Sequence, residues 1–153
     1  MTGMTTHRTI DSPIGPLTLI GDDDGLRHIA FGATRWTDRG RGLDDAVEQL
    51  GEYFAGERRT FDLRLALDGV PPFRRRVLDH LDRSVGYGVV TTYAEVAAEL
   101  GAPKAVRAVG TGCATNPLPI VVPCHRVLRT DGGPGGYLGG LDAKRWLLAH
   151  EAA

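Results

Sequence analysis

From His7 to Phe31 apolar and polar residues alternate in short stretches, HRTIDSPIGPLTLIGDDDGLRHIAF, broken at Ser12-Pro13, Gly15-Pro16 and Asp22-Asp23-Asp24-Gly25. A period of two interrupted by turn formers predicts strands over 7–11, 16–21 and 26–31, joined as an antiparallel meander. Residues 32–42 are polar and Gly-rich and read as a loop, whose Arg35 and Arg39 could reach a polyanion. The period then lengthens: Leu43, Val47, Leu50 and Phe54 fall at helical spacing, with Gly56 as a stop. FDLRLAL returns to alternation around Phe61, Leu63 and Leu65 and reads as one more strand.

After Asp68-Gly69, taken as a domain boundary, the pattern is helical. Pro72 suits a helix start, and Phe73, Val77, Leu78 and Leu81 form one apolar stripe that leaves His80 on the solvated side. In TTYAEVAAELGAPKAVRAVG, Thr92 and Glu95 have the spacing of a capping box, and Val96, Ala97 and Leu100 give an apolar face. Gly101 ends that helix, and Pro103 starts another that reaches about Gly112. Two short helices about a Gly-containing turn fit a helix-turn-helix. The second carries Ala105, Val106, Ala108 and Gly110 around a lone Arg107. That is poor material for reading base edges in a major groove, but small residues allow the close approach that a minor groove demands. Close packing against neighbouring helices would use the same residues equally well.

Asn116-Pro117 then marks a turn, Ile120, Val121 and Val122 read as a short buried extended segment, and Cys124-His125 follows. A thiol reacts as its thiolate, and a nearby histidine can take its proton, directly or through a water. A Cys-His pair alone does not separate this from a buried, inert cysteine. The segment from Gly132 to Gly140 has no P-loop Lys-Ser/Thr, and Tyr137 within it offers a stacking face. A last helix from Asp142 places Trp146, Leu147 and His150 on or near its apolar side, with Glu151 near its end.

Composition narrows the classes. At 153 residues and 42% hydrophobic the chain suits one domain or two small ones. Its apolar runs are too short to span a membrane, and MTGMTTHRTI lacks a signal peptide's apolar stretch, so a cytosolic protein with two free thiols is expected. No metal-ligand spacing is present, and no metal or cofactor is expected. The net charge is −1, but residues 1–69 carry eight Lys/Arg against twelve Asp/Glu and residues 70–153 ten against seven. Contact with a polyanion therefore belongs to the second half.

The order of these motifs over residues 87–151 closely resembles the O6-alkylguanine-DNA alkyltransferases. It runs YG, TTYAEVAAELG, PKAVRAVG, NPLPIVVPCHRV and GYLGGLDAKRWLLAHE, and TIDSPIGPLTL and QLGEYFAGE are compatible upstream. The resemblance implies an α+β protein. Its N-terminal supporting domain (1–69) is a small ribonuclease H-like antiparallel sheet with a helix. Its C-terminal domain (70–153) is mainly helical and winged-helix-like, and carries the helix-turn-helix and the alkyl-acceptor cysteine.

It also implies direct-reversal repair in a single turnover. Cys124 takes the alkyl group from O6-alkylguanine in double-stranded DNA, His125 accepts the thiol proton through a water, and Glu151 holds the charged histidine. Tyr93 donates toward guanine N3, and Asn116 braces the turn. Arg107 fills the gap left by the flipped nucleotide, while Ala105, Val106, Ala108 and Gly110 face the minor groove. Thr92 is a further DNA contact and Thr130 meets a phosphate. Tyr137 stacks on the flipped base, Leu138 N–H points at O6, and carbonyls near Cys124 and Val127 bind the exocyclic amine. The implied protein is a monomer on DNA, with O4-alkylthymine as a second substrate and cooperativity along DNA both left open.

Departures from the family pattern are Val106 beside the arginine, Gly86 where proline is common, and Leu138 in place of a smaller residue. Gly112-Cys113 replaces a more helix-friendly pair and predicts an early helix end; Cys113 is read as packing. Two competing readings are a non-catalytic damage-recognition relative, which would lack the acceptor cysteine, and an unrelated thiol hydrolase, which would have no use for Arg107 among alanines.

Overall fold

The computed structural model describes residues 5–32 and 42–153; the loop read at 32–42, with Arg35 and Arg39, lies almost wholly outside them. The chain divides into two compact units, Met1–Asp68 and Gly69–Ala153.

In the first unit, β1 (Thr6–Ile10), β2 (Leu17–Asp22) and β3 (Gly25–Phe31) form an antiparallel sheet in that order. Each strand is within a residue or so of its sequence expectation. Leu17 and Leu19 are buried by alternation, and Leu26 and Ile29, three apart, share the buried face because the β2–β3 register shifts at Ile20/Gly21. Thr18 is buried as well, and its hydroxyl donates to Gly32 O at 2.9 Å. The helix α1 (Asp44–Phe54) starts one residue later than its apolar pattern. Leu43 is its N-cap at φ 61°, and the buried face is Ala46, Leu50 and Tyr53, whereas Val47 and Phe54 are half-buried.

The strand expected at FDLRLAL does not form. It reduces to a single parallel bridge, Leu26 with Leu65. The backbone groups of Asp62 are taken instead by Gln49 of α1, whose Nε2 donates to Asp62 O (3.0 Å) and whose Oε1 accepts from Asp62 N (2.8 Å). A side-chain amide thus does the work of a neighbouring strand.

The second unit is mainly helical, with α2 (Pro72–Ser84), β4 (Thr91–Thr92), α3 (Tyr93–Glu99), α4 (Val106–Ala114), β5 (Val127–Leu128) and α5 (Leu141–Ala152). Val77, Leu78 and Leu81 of α2 are buried. His80 is half-buried rather than solvated, its Nε2 3.3 Å from Glu99 Oε2.

The capping box at α3 is half made. Thr92 Oγ1 accepts from Glu95 N at 3.1 Å, but the Glu95 carboxylate turns to the Thr91 hydroxyl at 3.0 Å. The next helix neither starts at Pro103 nor ends early. Ala105 is its N-cap, and it runs through Gly112 and Cys113. Gly112 is there because α2 lies against it: a β-carbon would meet Val77 at 3.3 Å. Close approach of two helices offsets the propensity cost of about 1 kcal/mol. Among the described residues, no helix is long and apolar enough to cross a membrane.

Candidate active site

The expected extended segment before Cys124 is a tight turn. Ile120 has φ 77°, Pro119 bridges Val122, and Val122 N donates to Leu118 O at 2.9 Å. Asn116 organises this turn. Its Oδ1 accepts from Leu118 N (2.9 Å), and its Nδ2 donates both to Val122 O (2.9 Å) and to Cys124 Sγ (3.2 Å). The apolar run around the turn is buried, which leaves a left-handed, non-glycine Ile120 over-determined by its surroundings.

Cys124, His125 and Arg126 form one 3-10 turn leading into β5. Strand β5 pairs in parallel with β4, Thr91 opposite Val127 and Thr92 opposite Leu128. That short pairing brings Tyr93, the first residue of α3, to the cysteine. Cys124 is 3% exposed and opens onto a cavity of about 340 Å3. Tyr93 forms one wall, Gly110, Cys113 and Ala114 of α4 another, and Gly136, Tyr137 and Leu138 a third. Leu138 is 45% exposed at the mouth. The Gly-rich segment is therefore a cavity wall. Gly135, at φ 71°, would place a β-carbon 3.0 Å from Tyr93 Oη.

His125 is wholly buried. Its Nε2 lies 2.8 Å from Glu151 Oε2, whereas Nδ1 is buried without a hydrogen-bonding partner among the described residues. A carboxylate at Nε2 holds the proton there, so Nδ1 carries the lone pair. Burial lowers the His125 pKa, against the opposing pull of Glu151, so the ring is neutral at rest. Burial also pushes the Cys124 thiol up to about 11, although the Asn116 hydrogen bond and the Lys144 charge pull the other way. The resting pair is thus thiol and neutral imidazole. Tyr93, pushed to about 12 by burial, stays a phenol. Cys113 faces the same cavity with its thiol at about 12, again through burial.

Three groups at the site lie beyond the sequence expectations. Arg126 is buried and grips Glu151 with Nε to Oε1 (2.8 Å) and Nη2 to Oε2 (3.0 Å), while Nη1 donates to Val85 O at 2.6 Å. Gly88 N also donates to Glu151 Oε1, at 3.4 Å. Lys144 is wholly buried, with Nζ donating to Val127 O (2.7 Å) and Gly136 O (3.3 Å). The Val127 carbonyl expected to meet an exocyclic amine therefore already accepts one bond, which leaves it one lone pair.

Of these three only Lys144 lies on α5. Lys144, Leu147 and Glu151 share a face, and that face is buried, whereas Trp146 and His150 are half-buried and stack on each other at 4.6 Å. Arg107, Val106 and Ala108 lie exposed along α4, Ala105 at its N-cap is half-buried, and Thr92 caps α3. Thr130 is exposed on the loop after β5, outside the cavity wall. No group of His, Cys, Asp or Glu among the described residues could hold a metal ion.

Comparison with known proteins agrees across the chain. The model of the 6-O-methylguanine DNA methyltransferase DNA binding domain matches residues 72–153, and that of the same family's ribonuclease-like domain matches residues 6–67. A methylated-DNA–protein-cysteine methyltransferase of Mycolicibacterium paratuberculosis is 48% identical over 155 residues, spanning 97% of this chain and 93% of the relative. A constitutive one from Bacillus subtilis is 38% identical over 157 residues, spanning 95% and 94%. The crystal structure of Mycobacterium tuberculosis OGT in complex with DNA superposes with a TM-score of 0.87 at 45% identity, covering 95% of this chain and 92% of that one. With both of its halves matched by that family's own models, this chain belongs to the 6-O-methylguanine DNA methyltransferases.

Proposed function

We propose that this protein repairs alkylated DNA by direct reversal, moving the alkyl group from guanine O6 to Cys124 Sγ. The observation that carries the reading is Cys124 itself. It is a buried thiol held by Asn116, opening on a cavity and followed in the same turn by a neutral histidine that a carboxylate has oriented.

Guanine O6 lies inside the duplex, so the nucleotide must leave the stack, at a cost of a few kcal/mol that a badly paired alkylated base reduces. Helices α3 and α4 act as a helix-turn-helix whose small residues, Ala105, Val106, Ala108 and Gly110, lie in the minor groove, with Arg107 filling the vacated stack. Thr92 and Thr130 contact the backbone. The flipped base enters the cavity beside Tyr137, with Leu138 N–H toward O6. The carbonyls of Cys124 and Val127 receive the exocyclic amine.

The Cys124 proton passes through a water to His125 Nδ1, and Glu151 stabilises the imidazolium that forms. The thiolate attacks the alkyl carbon; the S–C bond forms as the C–O bond breaks, and the bonding pair goes to the guanine. Tyr93 donates a hydrogen bond at N3 to ease its departure. The thiol's proton ends on the restored guanine, and the thioether remains, so each molecule acts once. The protein works as a monomer on double-stranded DNA, in the cytosol, where its thiols stay reduced.

The test is the site of modification. Incubation with a duplex containing O6-methylguanine, followed by trypsin, yields the 108–126 peptide that holds both cysteines. Fragmentation is expected to place the methyl on Cys124, and none is expected for Cys124→Ser. A methyl on Cys113, or binding with no change in mass, would overturn the reading.

A further inference from the structure

The cavity at Cys124 has a neighbour. A second, more open concavity of about 500 Å3 is lined by Tyr93, Val106, Arg129, Thr130 and Asp131. Tyr93 belongs to the wall of both, so the two adjoin at that residue. A tight turn fixes the floor of this groove. Gly132 N donates to Arg129 O and Arg129 N to Gly133 O, each at 2.8 Å, and Asp131 Oδ1 accepts from Gly133 N at 2.9 Å.

The arginine's stem lies beside two glycines. A β-carbon on Gly133 would lie 3.6 Å from Arg129 Cδ, and one on Gly135 would lie 3.5 Å from its Cγ. The stem is thus laid along the Gly-rich segment while the head remains in solvent. Arg129 Nη2 is 3.3 Å from Asp131 Oδ2, and the two side chains are 64% and 63% exposed. An ion pair so exposed contributes little, and a stronger anion displaces it at small cost.

We propose that Arg129, on the rim of this groove beside Thr130, is a further phosphate contact for the flipped nucleotide's backbone, and that Asp131 restrains it in the free protein. The proposal rests on the repair reading for the base in the adjoining cavity. A base held against Tyr93 carries its sugar and phosphates along the rim that Tyr93 shares. There Val106, 36% exposed, presents apolar surface to a deoxyribose. Arg129 presents a planar fork of donors suited to phosphate oxygens. Asp131 repels that phosphate, and its structural part is played by Oδ1, which an amide oxygen can replace.

Binding is measured in a Cys124→Ser background, so that no transfer intervenes, on an O6-methylguanine duplex and on the same duplex with a neutral methylphosphonate next to the lesion. Arg129→Gln is expected to weaken binding severalfold at low salt and to reduce the salt slope by about one. Asp131→Asn is expected to tighten it. The methylphosphonate should cost the Arg129-containing protein a similar factor but cost Arg129→Gln little more. With Cys124 restored, transfer from free O6-benzylguanine should be unchanged in both variants. Unaltered affinity and slope, methylphosphonate and Arg129→Gln penalties that simply multiply, or an equal loss of free-base transfer would overturn the proposal. Failure of the repair reading has a different signature: no alkyl group on Cys124 from any substrate, whatever the dependence of DNA binding on Arg129.

Discussion

Cys124 rests as a thiol and His125 as a neutral ring for the same reason: burial penalises both charges. Reaction therefore requires the proton to move as the base arrives. The acceptor at Nδ1 exists only above the His125 pKa, which lies below the ordinary 6.5. The transfer rate should therefore fall as pH drops through that lowered value. Above it the rate should stay level until the thiol ionises unaided near 11. Removing the Glu151 charge removes the influence that raises the His125 pKa. Glu151→Gln should move the acid limb to lower pH and, with a weaker base, slow the plateau by roughly tenfold to a hundredfold. Single-turnover rates from pH 5 to 9 on a free-base substrate check this; an unmoved acid limb would remove Glu151 from the relay.

Arg126 joins three elements: the C-cap of α2 through Val85 O, the Cys124 turn that contains it, and α5 through both oxygens of Glu151. Arg126→Met keeps bulk but leaves Glu151 a buried anion short of its main partner. It should cost about 3–5 kcal/mol in chemical denaturation, whereas a loss under 1 kcal/mol would mean that Glu151 is solvated on its own. At this scale the sequence is partly legible. The alternation of β1–β3 and the stripe of α2 follow from periodicity, because each needs only its own residues to choose a face. Tyr93 is marked by the family resemblance alone, whereas Cys124 and His125 stand out within their motif. Arg126 and Lys144 do not, because a charged residue is buried only when its partners, here Glu151, Val85, Val127 and Gly136, arrive from elsewhere in the chain. The failed strand at 61–67 and the shifted α4 have the same origin. Gln49 satisfied the one and Val77 required Gly112 in the other, and neither contact is local in sequence.

At the scale of the molecule, the proposed stack-filling role of Arg107 and the chemistry at Cys124 fall at different places on the second unit. The cavity is formed around Cys124, and Arg107 lies exposed on α4 outside its wall. Arg107→Ala should therefore weaken binding and slow repair in duplex DNA, where the vacated stack must be filled, and leave transfer from a free alkylated base largely unchanged. Equal losses on both substrates would refute that role. The central claim is that Cys124 is consumed by one reaction, and the most direct measurement is a titration. A fixed amount of protein is mixed with an excess of duplex carrying O6-methylguanine, and the restored guanine per chain is counted over time. The expected result is a plateau at one equivalent, with none for Cys124→Ser. Continued release beyond one equivalent, or a plateau reached without Cys124, would contradict it.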